Sequence, residues 1–297
     1  MSLMRNVNRA LTATTGLQVR RAPTPAQRPV KAKAPARQPV KAPAPAYRCT
    51  DDLATDRLLR RPVFIMSPVR SGSTLLRLVL NAHSRLHAPH ELHIRRLEVA
   101  HGSRLSERAM EALDLGRGDL EHLLWDRVMH RELVRSGKDV LVEKTPSNAF
   151  VYQRIRDCWP DARFVFLLRH PLSIARSWHE ADPDKRTFDE AAADALRYMK
   201  AVDRARKGIT GGHTVRYEQL TEAPDETLHG LCAFLGVDFE PAMLEYGERD
   251  DTQLRKGLGD WRDKIRTGRV QGGRPLPQDD DVPEILRPIG KAWGYLA

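Results

Sequence analysis

The stretch running from Pro62-Val-Phe-Ile-Met66 through Ser67-Pro-Val-Arg-Ser-Gly-Ser73 to Thr74-Leu-Leu-Arg-Leu-Val-Leu80 limits the folds open to this chain more than any other. Its first part is a short continuous apolar run, as expected of a strand buried on both faces, and its last part continues as a helix. Only a Ser- and Gly-containing turn separates them. In an open α/β sheet, ligands collect at the carboxyl ends of strands, where helix N-termini point. Gly72 lets the backbone approach an anion closely, and the amides that follow, Leu75 included, converge with the helix dipole behind them. Ser71, Ser73 and Thr74 add hydroxyl donors, and Arg70 adds a fixed charge with a planar donor fork. The turn alone suits two readings, an anion cradle or a plain helix cap.

The rest of the chain extends the same pattern. Residues 140–143 and 163–168 read as further strands, and Thr214-Val-Arg-Tyr217 as a fourth. Helices are expected over 147–158, after Pro171, over 188–207 where apolar residues recur at helical spacing, and over 224–235, closed by Gly236. Residues 91–135 read as charged helices broken near Gly102 and Gly116. Alternating strands and helices predict an α/β fold with a mostly parallel sheet and helices on both faces.

Charge is distributed unevenly. Residues 1–50 hold ten Lys or Arg and no Asp or Glu, whereas 51–297 hold 39 basic and 39 acidic residues. The net charge of +10 therefore belongs to the leading segment, and the body gives no sign of a nucleic-acid partner. Residues 1–20 suit a short amphipathic helix. Residues 21–50 are rich in Pro, Ala and Lys, unable to bury apolar surface, and predict a disordered basic linker before a domain at 51–297. Three widely spaced cysteines (Cys49, Cys158, Cys232) form no CxxC pair, which favours a reducing, cytoplasmic setting over a disulfide or zinc framework. No run approaches the roughly 20 apolar residues of a membrane span.

The turn departs from the nucleotide triphosphatase loop GxxxxGK[ST] at two positions. Ser67 replaces the first glycine, and Ser73 stands where the lysine that reaches the terminal phosphates belongs. Four segments instead resemble the sulfotransferases that use 3′-phosphoadenosine 5′-phosphosulfate (PAPS). Pro68-Val-Arg-Ser-Gly-Ser-Thr-Leu-Leu76 is similar to their 5′-phosphosulfate loop, and Leu167-Leu-Arg-His-Pro-Leu-Ser-Ile-Ala-Arg-Ser177 to their 3′-phosphate motif. Val215-Arg-Tyr-Glu218 resembles the strand whose tyrosine contacts adenine. Leu254-Arg-Lys-Gly-Leu-Gly-Asp-Trp261 resembles the late loop over the 3′-phosphate, although a single residue, Leu258, separates its two halves where cytosolic-type members commonly have two.

The resemblance covers about residues 62 to 270 and lies nearest the carbohydrate- and protein-tyrosine-type branch. It implies a P-loop-like fold and PAPS as co-substrate, with 3′,5′-ADP as product and no metal. It implies cofactor contacts at Arg70, Ser71, Gly72, Ser73, Thr74, Leu75, Arg169, Ser177, Tyr217, Arg255, Lys256 and Gly257. It further implies Glu91 as base, with Arg70 and Lys144 offsetting charge on the leaving phosphate, where cytosolic-type members carry a lysine in place of Arg70. His83, His87, His90 and His93 crowd the Glu91 segment and are alternative bases. Other readings are a nucleotide kinase or related phosphoryl transferase, and a non-enzymatic nucleotide-binding scaffold. The acceptor, whether small molecule, carbohydrate or peptide, has no signature; residues 91–135 and Trp178-His-Glu180 are expected near its pocket.

Overall fold

The computed structural model describes residues 53–248 and 267–297. The helix expected over 1–20, the linker over 21–50, and Arg255, Lys256, Gly257 and Trp261 lie outside the described residues. A short helix α1 (Leu53–Asp56) precedes β1 (Val63–Met66), α2 (Ser73–Ala82) and β2 (Leu86–His87). Then come α3 (Arg104–Ala112), α4 (Arg117–Ser136), β3 (Val140–Glu143), α5 (Tyr152–Cys158), β4 (Arg163–Leu168), α6 (Pro171–His179) and α7 (Phe188–Gly208). The remainder is β5 (His213–Arg216), α8 (Tyr217–Glu222), α9 (Pro224–Leu235) and α10 (Arg287–Ala292).

The strands form one parallel sheet in the order β2-β3-β1-β4-β5. Side chains of a strand alternate between faces, so a strand apolar at every position needs a core on each side. Phe64 and Met66 of β1 and Phe164, Phe166 and Leu168 of β4 enter one cluster, with Trp125, Ile155, Leu172 and Met199 from helices α4 to α7. Val63, Ile65, Val165 and Leu167 enter a second cluster on the opposite face, with Leu76, Val79, Leu228 and Leu231 from α2 and α9. The expected parallel α/β sheet with helices on both faces is what these residues build.

Local signals fix several element ends. Thr187 and Glu190 form a reciprocal capping box at the start of α7, satisfying two backbone donors that would otherwise be orphaned. Gly236 ends α9 in the left-handed conformation, as its position after the last apolar residue predicted. The buried Asp126 carboxylate accepts the Leu58 and Leu59 N–H groups and Trp159 Nε1 at 2.8, 3.2 and 3.0 Å. That contact ties the entry of the domain to α4 and α5.

Three expectations need correction. Residues 91–103 are not a helix: apart from a single 3-10 turn at Ile94–Arg96 they run irregularly, with His93 left-handed and the Leu92 and His93 amides given to Glu143 and Thr145. Tyr217 is not the last residue of a strand but the first of α8. Residues 146–151 form a 3-10 segment, so the α-helix starts only at Tyr152. β2, two residues long, was not anticipated.

Candidate active site

Chain order reverses across β1, which pairs with β3 on one side and β4 on the other. The crevice beyond the carboxyl ends of such strands is where an open parallel sheet receives ligands. Three loops meet there: 67–72 after β1, 144–145 after β3, and 169–170 after β4.

The first loop is held in an unusual conformation. Arg70 has φ 59° and Gly72 φ 90°, both left-handed, a region costly for residues other than glycine. Gly72 is the N-cap of α2 and offers no side-chain cap to it. Ser71 donates to the Pro68 carbonyl at 2.8 Å, closing the turn. Ser73, Thr74 and Leu75 form the first turn of the helix and are buried. The Ser67 hydroxyl at the head of the loop is buried, with no hydrogen-bond partner among the described residues.

The second expected anion site is joined to the first. Arg169 donates from Nη1 to the Arg70 carbonyl at 2.9 Å, and Arg70 donates from Nε to Ser177 Oγ at 3.2 Å. The Arg169 guanidinium also lies 4.4 Å from the centre of the Tyr217 ring, a cation–π distance. Burial lowers the Arg169 pKa, opposed by Tyr217 and Glu218. Arg169 has no carboxylate at ion-pair distance among the described residues. A half-buried cation so placed is suited to an external anion.

Tyr217 packs directly against the first loop. A Cβ added to Gly72 would collide with Tyr217 Cδ2 and Cε2. Glycine is thus demanded twice, by φ and by the ring. A Gly72→Ala substitution is expected to cost about 1–3 kcal/mol and to displace Tyr217, read as a lower melting temperature together with weaker 3′,5′-ADP binding. A melting temperature unchanged within a degree would contradict the contact.

Glu218, beside Tyr217, was not singled out from sequence. It accepts the His170 N–H at 3.0 Å and the Tyr295 hydroxyl at 2.6 Å. Arg216 donates to the Trp293 carbonyl at 2.6 Å, and Trp293 Nε1 donates to Asp203 at 3.2 Å. The last described residues are thereby strapped to the loop that carries Arg169. The segments flanking 249–266 also meet: Gly247 N–H donates to the Gly268 carbonyl at 3.0 Å and the Tyr246 hydroxyl to the Arg269 carbonyl at 3.2 Å. Just beyond, Gly273 lies against Thr221 and Tyr217.

On the β3 side, Lys144 is buried and its Nζ donates to Glu91 Oε1. Burial lowers the Lys144 pKa and Glu91 opposes the shift. His93 Nε2 lies 3.4 Å from the other Glu91 oxygen. Of the remaining histidines, His83 has both ring nitrogens engaged, with the Asp238 carbonyl and the Arg85 N–H. His87 meets Glu132, and His90 the Glu91 carbonyl. His93 alone of the four has its ring paired with the Glu91 carboxylate. Arg77, missed from sequence, is buried in α2 and faces the same carboxylate; burial lowers its pKa to about 10, opposed by Glu91. Its place in the apolar run Leu75-Leu76-Arg77-Leu78 was the available signal.

Two expected acceptor-side groups are occupied locally. Trp178 Nε1 donates to Asp194 at 3.0 Å under the Arg186 guanidinium, and Glu180 takes Arg274 at 2.8 and 3.0 Å. Among the described residues no group of His, Cys, Asp or Glu is arranged to hold a metal ion, and no helix is long and apolar enough to cross a membrane.

The sulfotransferase family profile matches residues 62–241, the span that contains all three loops. The chain belongs to the sulfotransferase family. It is 29% identical over 234 residues to nodulation protein NoeE of Sinorhizobium fredii, covering 67% of this chain and 55% of that protein. It is 23% identical over 199 residues to protein-tyrosine sulfotransferase 2 of Gallus gallus, covering 63% and 54% respectively. The chain thus spans about half the length of these curated relatives. Among solved structures, the sulfotransferase domain of the Synechococcus PCC 7002 olefin synthase superposes with a TM-score of 0.60 at 23% identity, over 85% of this chain and 99% of that one. The sulfotransferase domain from the curacin biosynthetic pathway gives 0.59 at 22%, over 80% and 99%. These likenesses identify the fold as the P-loop-like fold of sulfotransferases.

Proposed function

We propose that the domain spanning 51–297 transfers a sulfonate group from PAPS to a hydroxyl or amine of an acceptor, leaving 3′,5′-ADP. The observation that carries this reading is the interlock of two cation-bearing loops, Arg169 on the Arg70 carbonyl and Arg70 on Ser177. One loop suffices for one phosphate; two in contact suit a ligand with phosphates at both ends of a ribose. PAPS supplies a sulfonate on its 5′-phosphate, and transfer exchanges the bond from sulfur to the bridging oxygen for one to the acceptor atom.

In this reading the turn from Ser71 to Leu75 holds the 5′ end with its amides and hydroxyls, Gly72 permitting the approach. Arg70 and Lys144 offset the charge that gathers on the leaving phosphate. Arg169 and Ser177, with Arg255, Lys256 and Gly257 from the neighbouring segment, receive the 3′-phosphate, and Tyr217 flanks the adenine. Glu91 takes the acceptor proton, with His93 beside it. The cations present suit this chemistry without a metal. A cytoplasmic setting is part of the proposal, resting on the cysteine spacing. The acceptor is a small molecule, carbohydrate or peptide; the tyrosine-directed name of one relative makes a phenol the first to try.

The kinase alternative has no observation in its favour, since Ser73 stands at the lysine position of the triphosphatase loop. Calorimetric titration with 3′,5′-ADP and, separately, ATP with magnesium is the test. Binding of 3′,5′-ADP at least about tenfold tighter is expected from the second phosphate site. Equal affinities would remove the cofactor assignment.

A further inference from the structure

Glu143, the last residue of β3, is 1% exposed and carries a carboxyl that the proposed chemistry does not use. Its Oε1 accepts the Thr145 hydroxyl at 2.6 Å and the Leu92 N–H at 3.4 Å, and its Oε2 accepts the Asn148 amide. Thr145 Oγ1 in turn accepts the His93 N–H at 3.2 Å. Two successive backbone amides directly after Glu91 therefore end on Glu143, one directly and one through Thr145. His93 itself is left-handed, with φ 50° and ψ 34°. A non-glycine residue there costs on the order of 1 kcal/mol and persists only where its surroundings fix it.

We propose that Glu143 is the positioning residue for Glu91: its buried carboxylate sets the strained 92–93 turn and so brings the Glu91 carboxylate onto Lys144. The inference rests on the reading of Glu91 and Lys144 given above. All three contacts to Glu143 are donors: Oε1 accepts Thr145 and Leu92, the two that reach the turn, and Oε2 accepts Asn148. Burial pushes Glu143 up to about 7, against lowering by Thr145, the Leu92 N–H and Lys144, and with further raising by Glu91. The charged groups facing it are thus Lys144 and Glu91. Arg77 and His93 stand behind them, the first facing both and the second paired with Glu91.

Amide hydrogen exchange of the full chain, followed by NMR, tests this without any acceptor. In Glu143→Gln, protection of Leu92 and His93 is expected to fall about tenfold, the equivalent of one hydrogen bond to a charged group. Thr145→Val is expected to expose His93 while sparing Leu92, and Thr145→Ser to restore it, which keeps the test open should Glu143→Gln fail to fold. Activity adds a second readout: Glu143→Gln should lower turnover while leaving 3′,5′-ADP affinity unchanged. Exchange at Leu92 and His93 that is the same in wild type, Glu143→Gln and Thr145→Val would overturn the inference. Altered exchange in a protein that does not bind 3′,5′-ADP would instead remove the sulfonate-transfer reading and leave the turn assignment standing.

Discussion

Replacing Arg169 with alanine is expected to weaken 3′,5′-ADP binding by roughly thirty- to several-thousand-fold, the range set by about 2–5 kcal/mol for deleting one side of a buried, hydrogen-bonded charge pair. Two losses combine. The guanidinium has no carboxylate at ion-pair distance among the described residues, so its charge is available to a phosphate, and it also braces the Arg70 carbonyl at 2.9 Å. The substitution therefore loosens the first loop along with the second. Arg169→Lys retains charge but not the planar fork that spans carbonyl, ring and anion; it should fall between wild type and alanine. Calorimetry measures the affinity, and thermal melting of the ligand-free variants shows whether they remain folded. Alanine and wild type binding equally would exclude Arg169 from the phosphate site.

The second large effect is on turnover. Glu91→Gln preserves shape and an oxygen for Lys144 but cannot accept a proton, and general-base contributions are typically about 10²- to 10⁴-fold. Loss of that size is expected with any acceptor that reacts, while 3′,5′-ADP affinity stays within about twofold because no contact of Glu91 reaches the Arg70, Arg169 and Ser177 cluster. Lys144→Met should also lower turnover, by removing charge compensation and by leaving the Glu91 carboxylate to Arg77 and His93 alone. A panel of phenols, sugars and peptides with sulfur-labelled PAPS supplies the assay. Undiminished turnover in Glu91→Gln would move the base elsewhere, first to His93.

Much of the sheet was legible because burial on both faces writes itself as an unbroken apolar run. β1, β3 and β4 are such runs, and β3 and β4 end where expected. Helix α7 announced itself by periodicity, α9 by its glycine stop. β2 is too short to display any pattern, and the residues after Glu91 look helical by composition. The chain there instead takes a left-handed residue at His93 and gives its Leu92 and His93 amides to Glu143 and Thr145, some fifty positions away, which no local window contains. Tyr217 has strand chemistry and follows a strand; it turns helical where the chain must pass over Gly72.

The site divides the same way. Arg70, Gly72, Arg169, Ser177 and Tyr217 are brought together, and Glu91 meets Lys144. The residues that hold them were not visible. Glu143 ends an apolar strand as an isolated acid, and Glu218 follows the tyrosine without marking itself. Only contacts across the fold reveal them, because a supporting side chain is defined by what it touches and not by spacing along the chain.

The packing of Tyr217 onto Gly72 has a consequence for anyone redesigning this crevice. The two positions behave as one design variable. Trimming Tyr217 opens space over the glycine but also removes the ring beneath Arg169, so gained volume comes with a less anchored cation. Enlarging Gly72 is admissible only with a smaller residue at 217, and even then φ 90° disfavours it. Substitutions at the two positions should combine non-additively, and libraries that vary them independently will mostly sample broken pairs.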